Sequence, residues 1–267
     1  VTGLNDGGFV VTWTSVGQDG SSGGIFGQRY DSSGNTAGSE FQINTYTNND
    51  QSYPSVTGLN DGGFVVTWQS DGQDGSELGV YGQRYDSSGN TTGSEFQINT
   101  YTEHDQRNPS VTGLTDGGFL VTWNSHGQDG SYDGIFGQRY FSSGNTAGSE
   151  FQINTYTDIQ QYSQSVTGLN DGGFVVTWTS VDQDGDRDGI FGQRYDSSGK
   201  TAGSEFQINT YTNNDQSYPS VTGLNDGGFV VTWQSDGQDG SELGVYGQRY
   251  DSSGNTTGSE FQINTYT

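Results

Sequence analysis

A nine-residue segment, V-T-G-L-(N/T)-D-G-G-F, recurs along this chain at a constant step of 55 residues. Its copies begin at Val1, Val56, Val111, Val166 and Val221, and one tryptophan follows at the same offset in each copy. Five copies account for the whole 267-residue sequence. A fixed period of this length is typical of proteins in which each repeat is one supersecondary unit that buries its apolar side chains against its neighbours.

The overall composition alone would indicate disorder, because large aliphatic residues are scarce and the formal net charge is −24. The aromatic residues argue against disorder, since they make up 13% of the chain and recur at fixed positions of the repeat. The chain has no cysteine, which excludes disulfides and thiolate metal sites. The excess of acidic residues makes nucleic acid an unfavourable partner, and no apolar run is long enough to span a membrane.

Each copy contains four strand signals separated by residues that favour turns. In the first copy the signals cover residues 1–4, 9–13, 25–30 and 40–45, which we call strands A to D. Asn-Asp-Gly-Gly joins A to B, and Asp-Ser-Ser-Gly-Asn joins C to D, as tight hairpins require. In strand B, Phe9, Val11 and Trp13 lie on one face and Val10 lies on the other, so both faces carry apolar bulk.

A four-stranded antiparallel unit with two covered faces and a short link to the next unit describes a propeller blade. We therefore predict an all-β fold, a five-bladed β-propeller that forms one domain over residues 1–267. The blades cover residues 1–47, 56–102, 111–157, 166–212 and 221–267, joined by eight-residue connections such as 48–55. The alternative is an open β-solenoid or a string of small repeats.

The repeat also resembles a known class of sequence. The motifs P-S-V-T-G-L-N-D-G-G-F-V-V-T-W, G-Q-D-G, G-Q-R-Y-D-S-S-G-N and G-S-E-F-Q-I-N-T resemble repeats of very large secreted and cell-surface bacterial proteins, including RTX-type adhesins. Their layout is similar to the propeller blades of the Asp-box and FG-GAP kinds, although no intact Asp-box is present. This resemblance implies a propeller, a secreted or cell-surface location, and calcium.

The copies differ mainly in the B–C loops and the D–A connections, which we expect at one end of the blades. A uniform scaffold with one variable end is typical of a recognition surface, although longer loops also tolerate drift. The aromatic residues in these variable segments are the candidate ligand-binding residues, namely Tyr53, Tyr132, Tyr162 and Tyr218. The five tryptophans and the tyrosines of the Q-R-Y motifs are expected to fill the core between blades.

Acidic residues in the B–C loops are candidate calcium ligands, because calcium needs six to eight oxygens and closely spaced acids around a glycine can supply several. The fourth copy offers the densest set, with alternate residues around Gly185. The candidate metal ligands are Asp182, Asp184, Asp186, Asp188, Asp71, Asp74, Asp236 and Asp239. The alternative interpretation is a set of solvated Asp-Gly turns. In the strands, Arg29 of strand C and Glu40 of strand D are expected to form a cross-strand ion pair in each blade.

The sequence offers little for catalysis. The two histidines, His104 and His126, lie in non-equivalent loops, and near-identical blades supply equivalent acids where an active site needs unlike ones. We therefore predict a protein that is not an enzyme, a secreted or surface adhesion module that recognises carbohydrate and is stabilised by calcium. It would be a monomeric ring or part of a larger repeat protein. The alternative function is a structural spacer without a ligand, and hydrolysis of polysaccharide would require the fourth copy to differ from the others.

Overall fold

The computed structural model describes residues 1–265 and consists of strands, turns and loops. Twenty strands form five four-stranded sheets, one per repeat, and in each sheet the strands lie side by side in chain order. Neighbouring strands within a sheet pair antiparallel. The predicted fold class, an all-β protein with five propeller blades, is confirmed. No helix in residues 1–265 is long and apolar enough to cross a membrane.

The strands of the five blades follow the same plan. Strand A is Thr2–Gly3 (β1), Gln51–Gly58 (β5), Gln106–Gly113 (β9), Gln161–Gly168 (β13) and Gln216–Gly223 (β17). Strand B is Phe9–Val16 (β2), Phe64–Asp71 (β6), Phe119–His126 (β10), Phe174–Val181 (β14) and Phe229–Asp236 (β18). Strand C is Gly23–Tyr30 (β3), Leu78–Tyr85 (β7), Asp133–Tyr140 (β11), Asp188–Tyr195 (β15) and Leu243–Tyr250 (β19). Strand D is Phe41–Gln42 (β4), Thr91–Gln97 (β8), Phe151–Gln152 (β12), Phe206–Gln207 (β16) and Phe261–Gln262 (β20).

Two compact units make up the described chain. One contains Val1–His126 and Gly137–Phe151, and the other contains Gly127–Phe136 and the described residues from Gln152 onward. The first unit holds the first and second blades, and the second unit holds the fourth and fifth blades. The assignment of one domain to the whole chain stays a prediction.

Strand A is longer than the sequence predicted. The last five residues of the expected connection 48–55 belong to β5, where Gln51 pairs with Ser70 and Ser52 with Gln69. The alternation of apolar and polar residues that reveals a strand is broken here by a bulge, in which Tyr53 and Pro54 lie opposite the single residue Trp68. Proline is tolerated at such a position because a bulge removes a ladder hydrogen bond.

Neighbouring blades bury their apolar side chains against each other. In the fourth and fifth blades, Val175, Ile190 and Ile208 of the fourth pack against Phe229, Val231, Trp233, Tyr246 and Tyr250 of the fifth, with Leu169 in the same cluster. The first and second blades form the equivalent cluster. We call the Phe-Val-Trp side of a blade its front face and the Val-Ile-Ile side its back face. Trp68 and Trp233 lie in these clusters between blades, as predicted, and Trp123 and Trp178 are also fully buried.

The predicted ion pair between strands C and D is wrong. Arg194 lies 3.6 Å from Asp171 of its own A–B turn, and it donates to the Ser252 carbonyl of the next blade at 2.9 Å. Glu205 instead accepts from the Thr155 amide of the preceding blade at 2.6 Å, and Glu95 and Glu260 do the same with Thr45 and Thr210. The arginine and the glutamate therefore each form a hydrogen bond to an adjacent blade, and they do not join strand C to strand D.

Candidate functional site

The bulge in strand A recurs in the other long A strands and holds one residue in a left-handed backbone conformation. These residues are Tyr53, Asn108, Ser163 and Tyr218, with φ values between 53° and 55°. A non-glycine residue with such a φ costs of the order of 1–3 kcal/mol and persists where surrounding contacts hold it. In the fifth blade, the contact is a hydrogen bond from the Tyr218 amide to the Thr179 hydroxyl of the fourth blade, at 3.2 Å.

The bulge directs a tyrosine ring into solvent at two of these four positions. Tyr53 is 64% exposed and Tyr218 is 61% exposed. Both lie near the start of strand A, at the end of the blade where the D–A connection and the B–C loop meet. Bulges re-aim side chains in this way next to binding sites. We call Tyr53 and Tyr218 the bulge tyrosines.

The other two predicted ligand-binding tyrosines differ from each other. Tyr132, in the B–C loop of the third blade, is also largely exposed. Tyr162 lies one residue before the bulge in β13, is partly buried, and donates its hydroxyl proton to Asp188 at the start of β15. Three of the four predicted tyrosines are therefore accessible as flat apolar surfaces, and the fourth belongs to a polar cluster.

That cluster is a set of acidic groups around Asp188. Burial raises the pKa of Asp188, and the nearby charges of Asp215, Asp182 and Asp184 raise it further, whereas the hydrogen bond from Tyr162 lowers it. Burial also raises the pKa of Tyr162, so this hydroxyl stays protonated. Asp215 forms an exposed ion pair with Arg187 at 3.7 Å, which contributes little energy. We call Tyr162, Asp188 and Asp215 the Asp188 cluster.

The alternating acids of the fourth blade do not converge on one point. Asp184 accepts from the Asn209 amide group at 3.0 Å, Asp186 accepts from the Asn214 backbone at 3.0 Å, and Asp188 accepts from Tyr162. Asp182 has a left-handed backbone and donates its amide proton to the Arg187 carbonyl. Over residues 1–265 no three acidic or histidine side chains are grouped to hold a metal ion.

The equivalent loops of the second and fifth blades are also organised by hydrogen bonds. Asp74 accepts from the Ser76 amide at 3.1 Å and from Gln97, and Asp239 accepts from the Ser241 amide at 3.1 Å and from Gln262. Asp71 and Asp236 end strand B, where their backbone amides donate to the carbonyls of Asp50 and Asp215. The carboxylates of Asp74 and Asp239 are therefore engaged within their own blades, and calcium binding by these loops stays a prediction.

A buried polar pair that the sequence motifs did not predict lies at the variable end of the blades. Asn209, two residues after strand D, accepts from the Ile190 amide at 2.7 Å and donates to the Tyr211 carbonyl and to Gln216 of the next strand A. Both Asn209 and Gln216 are buried. Asn99 and Gln106 repeat this arrangement in the first unit. The signal in the sequence was an unvarying polar residue in I-N-T and an unvarying glutamine seven residues later.

Similar crevices lie beside strand D of the fourth and fifth blades, with volumes of about 540 and 420 Å³. The larger is lined by Thr155, Gln183, Gln193, Thr201, Gly203, Ser204 and Glu205, and the smaller by the residues one period later. The carboxylates in them are engaged, since Glu205 accepts from both Thr155 and Gln183. We therefore assign these crevices to the contact between blades.

Solved structures with this fold include both enzymes and a protein without assigned activity. The chain is similar to a protein of unknown function from Dyadobacter fermentans, with 10% identity and a TM-score of 0.68, over 99% of this chain and 82% of that one. It is similar to an endo-arabinase from Bacteroides thetaiotaomicron, with 14% identity and a TM-score of 0.50, over 91% and 93% of the two chains. An α-L-arabinofuranosidase from Fusarium graminearum has 14% identity and a TM-score of 0.54, over 80% of this chain and 66% of that one.

These similarities correct one prediction and leave others unchanged. The prediction that the chain is not an enzyme is wrong, because it was inferred from the repeated architecture. The endo-arabinase and the arabinofuranosidase have the same fold and are enzymes. No protein-family model matches the sequence, and no curated protein matches it. At 10–14% identity the similarity shows the fold, so the chain is a β-propeller with a fold shared by carbohydrate-active proteins.

Proposed function

We propose that this chain is a carbohydrate-recognition propeller, displayed outside the cell, whose ligand stacks on the tyrosines at the variable end of its blades. The observation that carries the proposal is the placement of the bulge tyrosines. Each has a strained backbone and most of its ring in solvent. A backbone conformation that costs free energy and exposes an aromatic ring to solvent is characteristic of a binding surface.

The chemistry of the surroundings supports a neutral polyol rather than another ligand class. A sugar offers an apolar ring face for the tyrosine and hydroxyl groups for nearby carboxylates and amides. Anionic polymers are disfavoured by the net charge of −24. The propellers that share this fold include an endo-arabinase and an α-L-arabinofuranosidase, which makes arabinan and arabinobiose the first probes. Weak contacts on several blades would add up on a polymeric ligand, as adhesion requires.

Replacement of the bulge tyrosines tests the proposal. We expect Tyr53→Ala and Tyr218→Ala each to weaken binding of an arabinan or another glycan identified on a glycan array by about tenfold, because about 1.4 kcal/mol of stacking is lost. Titration calorimetry measures the change. Phe141→Ala is the matched control, since this aromatic residue is also exposed but follows strand C, away from the variable end. Absence of binding to every glycan would favour the alternative function, a structural spacer without a ligand.

Calcium stabilisation also stays our proposal, with its own measurement. Binding would require the fourth-blade carboxylates to leave their present hydrogen-bond partners and turn towards a common ion. Ligand binding to the folded state raises the melting temperature. We therefore expect a higher melting temperature in calcium than in chelator, and an unchanged melt would contradict calcium binding.

Glycoside hydrolysis is a second candidate function, favoured by the Asp188 cluster. A carboxyl group with a raised pKa beside an ionised carboxylate is the arrangement that lets one acid protonate a leaving oxygen while the other stabilises positive charge or activates water. Asp188 is partly buried and accepts from Tyr162, its pKa is raised by burial and by the neighbouring Asp215, and Asp215 itself pairs with Arg187 in an exposed setting. This cluster breaks the symmetry of the repeat, since the position of Asp188 is Gly23, Leu78 and Leu243 in three other blades.

A further inference from the structure

The two histidines of this chain lie against each other, although they belong to different elements. His104 is in the D–A connection that precedes β9, and His126 is the last residue of β10. Their ring centroids are 5.6 Å apart, and the ring planes are nearly perpendicular, at 85°. The sequence contains no other histidine, so this contact brings every imidazole of the chain to one place.

The repeat holds a chemically matched pair at these two positions in the second to fifth blades. The pairs are Asn49 with Asp71, His104 with His126, Ile159 with Val181, and Asn214 with Asp236. In the second blade the two residues also touch, because the Asn49 amide group donates to the Asp71 carbonyl at 3.4 Å. The scaffold therefore brings these positions together with or without histidine, and the third blade fills them with two imidazoles.

The backbone around the pair is fixed by the repeat. His104 has a left-handed conformation with a φ of 60°, and Asn49 has the same conformation at the equivalent position, with a φ of 57°. The amide of His126 donates to the Asp105 carbonyl at 2.9 Å, which joins the end of β10 to the residue after His104. The second and fifth blades make the same bond without a histidine. The two imidazoles are therefore presented from a backbone that needs no ligand to hold it.

The separation of the two rings suits one metal ion between them. Zinc binds an imidazole nitrogen at about 2.0–2.1 Å in tetrahedral geometry, so two rings on one ion have centroids about 5.2 Å apart. The observed 5.6 Å is close to this value. His104 is exposed, so its ring can turn about the side-chain bonds to direct a nitrogen at the ion. Each imidazole binds through one nitrogen and keeps the other for a hydrogen bond.

The carboxylate beside the pair is already engaged. Asp105 forms an ion pair with Arg107 at 3.1 Å and accepts from the Leu78 amide at 3.3 Å. Two imidazoles and water therefore make up the coordination, which agrees with the lack of any three grouped acidic or histidine side chains in residues 1–265. Imidazole nitrogen selects zinc, copper or nickel, whereas calcium takes oxygen ligands. The net charge of −24 raises the concentration of cations near the surface.

We propose that His104 and His126 together bind one divalent transition-metal ion, which joins the D–A connection to the end of β10. The ion would fasten a left-handed, exposed residue to a strand of the blade core. Open coordination positions held by water would allow the ion to exchange. The proposal depends neither on sugar binding by the bulge tyrosines nor on calcium binding by the acidic loops.

Titration with zinc tests the proposal, with proton NMR of the two imidazole rings as the readout. We expect both ring signals to shift together and to reach their end point with one bound ion per chain, whereas calcium should leave them unchanged. Zinc at about a hundred times its dissociation constant should raise the melting temperature by about 5 °C. His104→Asn should raise the dissociation constant at least about tenfold, because one of the two ligands is lost. This variant should fold normally, since asparagine has the same backbone conformation at Asn49 and Asn214.

A second variant moves the site to another blade. Asn49→His combined with Asp71→His places the same pair at the equivalent positions of the second blade, so this chain should bind two zinc ions. Asn49→His alone is the matched control and should still bind one. Circular dichroism establishes that the double variant is folded, and the comparison with His104→Asn decides the matter if it is not.

Three results would overturn the proposal. One is a pair of imidazole signals that millimolar zinc leaves unchanged, which would make the contact between the rings one of packing alone. Another is zinc binding of the same strength in His104→Asn, which would place the ion on the acidic loops. The third is a folded double variant that binds a single ion.

Discussion

Replacement of Asn209 by alanine is expected to lower the free energy of unfolding by about 3 kcal/mol or more. The side chain is buried and makes four hydrogen bonds, to the Ile190 amide, the Tyr211 carbonyl, Gln216 and Asp184. Each buried group that loses its partner costs about 1–3 kcal/mol, and alanine supplies no replacement. The loss should appear as a lower denaturation midpoint in urea with little change in slope.

The fifth blade supplies a matched control within the same chain. Asn264 occupies the same position of the repeat and accepts from the Val245 amide at 2.8 Å, and it is half-buried where Asn209 is buried. Water can satisfy the groups that Asn264→Ala frees, so this variant should lose only about 1 kcal/mol. Equal destabilisation by the two variants would show that burial of the asparagine does not set its contribution.

The fold of this chain could be predicted because its repeat is regular. The Asn-Asp-Gly-Gly and Asp-Ser-Ser-Gly-Asn turns mark two hairpins in the first copy, and bulk on both sides of strand B indicates that both faces are covered. The B strands begin where the sequence placed them, at Phe9 and its equivalents, and extend three residues further. Five copies of one pattern indicate the environment that each repeat position has on average. This average is sufficient to predict secondary structure and burial.

The same regularity hid the contacts between blades. Arg29 and Glu40 recur together in each copy, which suggested that they pair, whereas Arg29 donates to Ser87 and Glu95 accepts from Thr45. Equivalent residues of adjacent copies are identical, so a contact within a blade and a contact between blades leave the same pattern in the sequence. The bulge could not be recognised in the sequence for another reason. Two residues of strand A lie opposite a single residue of strand B, and this shifts the alternation of apolar and polar residues from which strands are predicted.

The candidate site was predicted in part. The variable segments contain three tyrosines whose side chains are exposed, as a binding role requires, and their part in binding stays a prediction. The spacing of the fourth-blade acids suggested a shared metal ion, whereas Asp184, Asp186 and Asp188 each accept from a different donor in the structure. Spacing along a loop does not determine the direction of a side chain, and left-handed residues such as Asp182 and Arg187 turn the loop between the acids.

Asp188→Asn is expected to have the second large effect, which concerns both the hydrolytic activity and the stability of the chain. If the Asp188 cluster hydrolyses glycosides, release of reducing sugar from arabinan should fall by a factor of about 10² to 10⁴, the usual contribution of a general acid. Tyr162→Phe removes the hydrogen bond that lowers the pKa of Asp188, so it should shift the basic limb of the pH–rate profile, where the general acid loses its proton, to higher pH. A chain that releases no sugar from arabinan or from other plant polysaccharides would remove hydrolysis as a function.

The stability of Asp188→Asn does not depend on activity. The pKa of Asp188 is raised in the folded protein, so between its unfolded value and its folded value the native state binds more protons than the unfolded state. Stability contributed by this group therefore falls as pH rises through that window, and at neutral pH its charge is a cost. Asparagine keeps an acceptor for Tyr162 and carries no charge, so the variant should melt higher than the unchanged chain at pH 7, and this advantage should disappear under acidic conditions.

Asp133→Asn is the control, because this aspartate has the same strand position but accepts from the amide of Gln160. A lower melting temperature for Asp188→Asn at neutral pH would mean that its contacts outweigh the cost of its charge. The partly buried acid with a raised pKa, on which the hydrolytic alternative depends, would then lose its physical basis.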